Sequence, residues 1–324
     1  MFLLAILISL TLEKLLPTLN GLRSLAWFDH YQLWVRSRFE HHEKWQGVPS
    51  LLIIVLLPVV GIAALQHFLN ELLALLGFLF SVIVLTYCLG PADEHRRVNE
   101  YLEAIDNDDP ESAERALTAV LQAGGHGHHN APADEQTRIQ RLIETILILT
   151  HDRVLAVLFW FVVLGPMGAV LYRLTLALLP PAIDDPNTQT TTSDRREFNH
   201  TVTRLHHLLS WIPSHLTAFS YAIMGSFVHA LHAWQNRFNE AIAEPLATPA
   251  ESLPLQTVEQ TAPASDALPE THRLLLRIGM AALQFDTRPP QDNTAIRETL
   301  GLCGRSLVAW ITLLAIMTLA GWAS

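Results

Sequence analysis

Cysteine is almost absent: Cys88 and Cys303 are the only two, both in or beside apolar runs. Two such residues exclude a disulfide framework and a cysteine-built metal site, and they read as buried free thiols. Charge is scarce too, at 16% of residues, and its formal net value of −10 comes mainly from acidic loops. No basic stripe and no basic run interleaved with aromatics occurs, which excludes a nucleic-acid partner. A Walker-type phosphate loop and a Gly-x-Ser-x-Gly elbow are both missing. No strand pattern competes with the helical ones, and no internal repeat is visible.

What the chain has instead is apolar length. Half of its residues are hydrophobic and its mean hydropathy is +0.26, too apolar for an ordinary soluble domain and too polar for a pure bundle of spans. The expected fold is an all-α integral membrane protein with about four to five transmembrane or re-entrant helices and a helical cytoplasmic region. Apolar runs cover Val48 to Phe68, Leu72 to Leu89 and Ser306 to Trp322. The N-terminal run lacks a basic n-region and a small-residue cleavage site before Glu13 and Lys14, so it reads as a retained first helix.

One run is interrupted. Val154 to Leu179 contains 26 residues and a single charge, Arg173. That length suffices for a bilayer core of about 30 Å. Gly165-Pro166 sits at its midpoint, so it forms either one kinked span or two half-helices folded back on themselves.

The expected organisation is N-terminal spans over 1–90 with a polar loop at 17–47, a helical cytoplasmic subdomain over 91–152, and the broken segment over 153–181. Amphipathic helices and a flexible loop follow over 182–305, and a C-terminal span over 306–324. Arginines flank the polar regions while the Asn70-Glu71 turn has none, which places those regions in the cytoplasm. Nine arginines from Arg195 to Arg305 favour the same side for 182–305, provided the broken segment re-enters. Inside the subdomain, Asp109 is suited to cap a helix that starts at Pro110, with Leu117, Val120 and Leu121 on one face. A long helix from Arg195 to about Asn236 is expected to break near Pro213.

Histidine is plentiful, at 16 residues. His126, His128 and His129 have the composition of a zinc or nickel site but no fixed spacing, and they read as a solvated loop. Glu40-His41-His42-Glu43 lacks the three residues that a metalloprotease helix places between its histidines. His200, Arg204 and His207 share a helix face, with Arg204 where a chelating histidine would stand. No metal and no cofactor is expected. Arg173 either snorkels to the interface or faces a polar cavity.

Several separated motifs together resemble a known superfamily. Leu158-Phe159-Trp160, then Gly165 to Arg173, then Arg204 to Ala218 are similar, in that order, to the cobinamide-phosphate synthase (CbiB) and AmpE membrane proteins. Asp152, Ala156, Tyr172, Arg173, Arg204, Leu205, Pro213, Leu216 and Thr217 match the synthase pattern. Ile148 and Leu149 stand where that pattern has Glu-Asn, and Leu176, Ala177 and Leu179 where it has Asn, Thr and Asp. His206-His207 replaces an acidic pair, Ser210 an asparagine and His215 an arginine. Magnesium and phosphate chemistry needs oxygen ligands, so the resemblance without these residues argues against synthase activity.

The AmpE branch is the better likeness, through Glu13-Lys14, Trp27, Asp29-His30, Trp211 and Pro213. It implies a non-enzymatic, multi-pass inner-membrane protein of Gram-negative bacteria that modulates β-lactamase induction in connection with cell-wall recycling. Its implied partners are the lipid bilayer and a muropeptide-type ligand or a regulatory protein such as a muropeptide amidase. No catalytic residue carries over. Candidate ligand contacts are Asp152, Arg173, Arg204, His207 and His215, which flank the break. The alternative is a membrane enzyme on the CbiB-like scaffold with an altered substrate; transport is the weakest reading, because no polar pathway is visible.

Overall fold

The computed structural model describes residues 2–15, 25–39, 48–89, 93–124, 134–180, 193–243, 269–285, 288, 290 and 292–320. The described residues form an all-α membrane protein. The histidine loop at 126–129, the threonine-rich link and most of the proline-rich stretch at 243–267 lie outside them.

Three helices are long and apolar enough to cross a bilayer: Pro49–Leu72, Glu135–Leu164 and Asn293–Leu319. Two shorter apolar helices, Phe2–Glu13 and Ala74–Cys88, accompany them. In chain order, α1 is Phe2–Leu15, α2 Ala26–Phe39, α3 Val48–Leu72 and α4 Ala74–Cys88. An extended Leu73 separates α3 from α4, and the two pack together. Their outward residues, among them Leu56, Leu57, Val60 and Phe68, are exposed large apolar groups of the kind that lipid covers. Inside the stretch expected as a polar loop, α2 forms because Phe28 and Val35, seven residues apart, both bury against the neighbouring helices. The Tyr31 hydroxyl adds a bond of 3.2 Å to the Ile53 carbonyl of α3.

The next elements are α5 (Asp93–Asp106), α6 (Pro110–Ala123) and α7 (Glu135–Thr150). The Asp109 side chain accepts from the Ser112 amide at 3.1 Å and Pro110 opens α6, as the sequence pattern predicts. Leu117, Val120 and Leu121 are buried. Asp134 caps α7 in the same way, through the Thr137 amide at 2.9 Å.

Beyond α7 the helix continues as α8, Ala156–Leu164, and then turns sharply into α9, Pro166–Ala177. Gly165 adopts φ 70° and ψ −155°, a region nearly restricted to glycine, and Pro166 starts α9 with its ring φ already set. In a straight helix Trp160 and Gly168 would sit about 12 Å apart along the axis. Here a β-carbon on Gly168 would collide with the Trp160 carbonyl oxygen. The broken segment is therefore a pair of half-helices folded against each other.

α10 (Ser193–Met224) runs unbroken through Pro213, contrary to the expected break. Proline removes the bond that would reach the Leu209 carbonyl four residues back. The Trp160 indole of α8 supplies a substitute donor to that carbonyl at 3.0 Å, so the helix loses no satisfied acceptor. The chain breaks instead at Gly225-Ser226, where the Ser226 amide bonds the Ala282 carbonyl at 2.7 Å. The remaining helices are α11 (Phe227–Ala243), α12 (Glu270–Ala282) and α13 (Asn293–Leu319). α13 is one helix across residue 305, and Arg297 near its start pairs with Asp106 at the end of α5 at 2.5 Å.

Two hydrophobic cores result. One joins α5, α6, α7, the second half of α10, α11, and α12 with the first part of α13. The other joins α1 to α4, the α8–α9 hairpin, the first half of α10 and the latter part of α13.

Candidate functional site

The helix that begins at Glu135 gives up its α repeat for one π-helical turn, His151–Leu155, before α8 resumes. Single π turns recur at functional sites, because the widened turn redirects side chains. This one buries His151, Asp152 and Leu155. It lies between the two cores: Ile148 belongs to one and Ala156 to the other.

α10 meets the π turn with one face. At about 100° per residue, His206, Ser210 and Thr217 fall within about 40° of one another. All three are buried. The His151 ring is held at both nitrogens, Nδ1 to Thr217 Oγ1 at 3.0 Å and Nε2 to Ser210 Oγ at 3.1 Å. A neutral imidazole donates through one nitrogen and accepts through the other, so two hydroxyls satisfy it fully.

Asp152 is 5% exposed and is the only buried carboxylate among the described residues. Tyr172 of α9 donates to its Oδ1 at 3.0 Å, and His272 Nε2 of α12 lies 3.2 Å from Oδ2. Burial alone pushes the His272 imidazole down, but the Asp152 charge and hydrogen bond outweigh it and raise the group above its ordinary value. His206 completes the cluster, with its ring centroid 5.7 Å from Tyr172 and 5.9 Å from His272. Its Nε2 is buried without a hydrogen-bond partner. One ligand-capable atom from each of Asp152, His206 and His272 lies within 4.8 Å of the other two.

Of the residues singled out from the sequence, Asp152 stands at the centre of this cluster. Arg173 is half-buried and interacts electrostatically with Asp152, Tyr172, Tyr87 and Cys88. Arg204 and His215 are not brought to Asp152: they fall on the side of α10 opposite His206, Ser210 and Thr217, while His207 lies about 60–100° round from them, on the flank that meets α12. Arg204 is exposed, His207 faces Glu270 at 3.9 Å, and His215 lies against Trp211 and Trp234. His272 was not anticipated from the sequence. Its signal is position: it shares the apolar stripe of Leu275, Leu276 and Gly279, while Arg273 and Arg277 mark the other face.

A family model described as "Regulatory signalling modulator protein AmpE" matches residues 1–244. The chain belongs to the AmpE family. Two curated relatives carry the name "Cobalamin biosynthesis protein CobD". The one from Stutzerimonas stutzeri (strain A1501) is 27% identical over 173 residues, 53% of this chain and 54% of that protein. The one from Chromobacterium violaceum (strain ATCC 12472) is 35% identical over 102 residues, 32% of this chain and 30% of that protein. The chain spans about half the length, or less, of these relatives. No solved structure matches. The expected AmpE membership and distant CobD relation are both borne out. In this AmpE-family chain the matched stretch includes Asp152, Tyr172 and His206, whereas His272 lies beyond residue 244.

Proposed function

We propose that this chain is a regulatory protein of the bacterial inner membrane that modulates β-lactamase induction in connection with cell-wall recycling, and that it is not a cobinamide-phosphate synthase. Membership of the AmpE family over residues 1–244 carries the reading. The chemistry of the buried cluster supports it. Magnesium holds nucleotide phosphates through oxygen ligands, and Asp152 is the one buried carboxylate among the described residues. The proposed ligand contacts are Asp152 and Arg173 at the buried cluster, His207 on the flank of α10 that meets α12, and Arg204 and His215 on the far face of α10. A muropeptide or a partner regulatory protein is the expected occupant.

A folded-back α8–α9 pair would return the chain to the side it came from, which supports a cytoplasmic location for 182–305. Single cysteines at Thr188 or Ser252 test this. Labelling of intact cells by a reagent that cannot cross the inner membrane would overturn it.

The distant CobD likeness favours a second reading, an enzyme with an altered substrate on the same scaffold. Thermal unfolding of the purified chain separates the two. A shift with muropeptides and none with nucleotide and magnesium is the expected result; the reverse would establish the enzyme reading.

A further inference from the structure

Three helices deliver one metal-ligating side chain each to the junction between the cores. Asp152 comes from the π turn, His206 from α10 and His272 from α12, and they are 5%, 1% and 6% exposed. We propose that Asp152, His206 and His272 bind one divalent transition metal of the zinc class, with a fourth position left open. This goes beyond the regulatory reading and does not depend on it.

The donor set selects the ion. Two imidazoles and one carboxylate suit zinc, cobalt or nickel, whereas magnesium and calcium take oxygen ligands. The spacing agrees. With bonds of about 2.0–2.1 Å, neighbouring ligands in a tetrahedral site lie about 3.3 Å apart. Asp152 Oδ2 and His272 Nε2 are already 3.2 Å apart. All three ligand atoms lie within 4.8 Å of one another. Closing His206 onto the same point thus asks for about 1.5 Å or less of side-chain movement.

An unmet demand at the same place is the second, independent observation. His206 Nε2 is buried with no hydrogen-bond partner. Buried polar atoms are nearly always satisfied, so an orphan aromatic nitrogen beside two other ligands points to a missing partner. Supporting bonds to the ligands are also present. Tyr172 donates to Asp152 Oδ1 at 3.0 Å, which fixes the carboxylate, and His272 Nε2 straddles its two oxygens, 3.3 Å from Oδ1 and 3.2 Å from Oδ2. His151, its ring occupied by Ser210 and Thr217, is held as a wall rather than as a fourth ligand. With three protein ligands and one open position, the metal can accept an oxygen from water or from a carboxylate-bearing ligand.

The test uses the full-length chain, free of any histidine tag, purified in detergent and stripped with chelator. It carries His126→Gln, His128→Gln and His129→Gln, so that the histidine-rich loop cannot contribute. Zinc is then added and the bound metal is measured after equilibrium dialysis. About one equivalent per chain is expected, lost in His206→Gln and His272→Gln at unchanged helicity and retained in His200→Gln, an exposed histidine of the same helix. Tyr172→Phe should weaken affinity about 10- to 100-fold, as loss of a supporting bond to a ligand does. Cobalt substitution of the unmutated cluster gives a readout that needs no folded cluster variant: the intense visible bands of four-coordinate cobalt are expected. Failure of the folded chain to hold zinc, equal zinc binding in His206→Gln and His272→Gln, or cobalt spectra of six-coordinate form only would overturn the proposal.

Discussion

Trp160→Phe should destabilise the protein by an amount that depends on a proline in a different helix. Pro213 leaves the Leu209 carbonyl without its helical donor, and the Trp160 indole fills that role at 3.0 Å. Phenylalanine keeps an aromatic ring in place but has no N–H. Side-chain hydrogen bonds between helices in membrane proteins average about 0.6 kcal/mol and reach about 1.7. Leaving a buried acceptor unpaired costs about 1–3 kcal/mol, which moves the expectation for Trp160→Phe to about 1.5 kcal/mol. Pro213→Ala returns an amide hydrogen within reach of the Leu209 carbonyl. In that background Trp160→Phe should cost about 0.5 kcal/mol, a coupling of about 1 kcal/mol between residues far apart in sequence. Equilibrium unfolding in mixed micelles, followed by helicity for all four proteins, measures the cycle. A coupling below about 0.3 kcal/mol, the usual scatter of independent sites, would refute the reasoning.

Gly165→Ala forces a side chain into φ 70°, ψ −155°, and should cost about 1–3 kcal/mol in the same unfolding assay. Gly168→Leu should prevent assembly, read as loss of the monodisperse species on size exclusion, because no β-carbon fits against the Trp160 carbonyl. His151→Leu removes the ring that both Ser210 and Thr217 bond, and a loss of about 1–3 kcal/mol is expected from unfolding in micelles. The Ser112 side-chain and backbone bonds hold the Asp109 carboxyl below its ordinary 3.8. Its folded value is therefore depressed, so the cap stabilises α6 above pH 3.8 and is lost as pH falls through the lowered value. Amide exchange in the first turn of α6 should accelerate over that window in the native chain, and Asp109→Asn should remove the dependence.

Local chemistry made much of the fold legible. Asp109-Pro110 announces the start of α6 because a capping oxygen and a preset φ act within four residues. Gly165-Pro166 announces a break for similar local reasons, though only the contact between Gly168 and Trp160 decides that the halves fold back. Pro213 misleads for the opposite reason: its consequence is cancelled by a donor from α8, 49 residues before the Leu209 carbonyl in sequence. The candidate site was half legible. Asp152 stands out as a charge at the mouth of an apolar run, whereas Arg204, His207 and His215 flank the break in sequence and are not among the buried polar residues of α10, which are His206, Ser210, Ser214 and Thr217. His206 and His272 meet Asp152 from 54 and 120 residues away, a convergence that no spacing rule encodes.

The two cores are threaded by the same rods. The helix from α7 through α8 contributes Ile143 and Leu147 to one and Leu158 and Phe161 to the other; α10 contributes Ala218 and Tyr221 to one and Val202 and Leu209 to the other; α13 contributes Cys303 to one and Leu314 to the other. No cut between the two cores leaves either with a closed interior. Residues 93–124 taken alone would expose the faces of α5 and α6 that pack with the rest of their core. Interiors that share their rods are coupled: a change that shifts the α7–α8 helix, α10 or α13 in one core is carried along the same helix into the other.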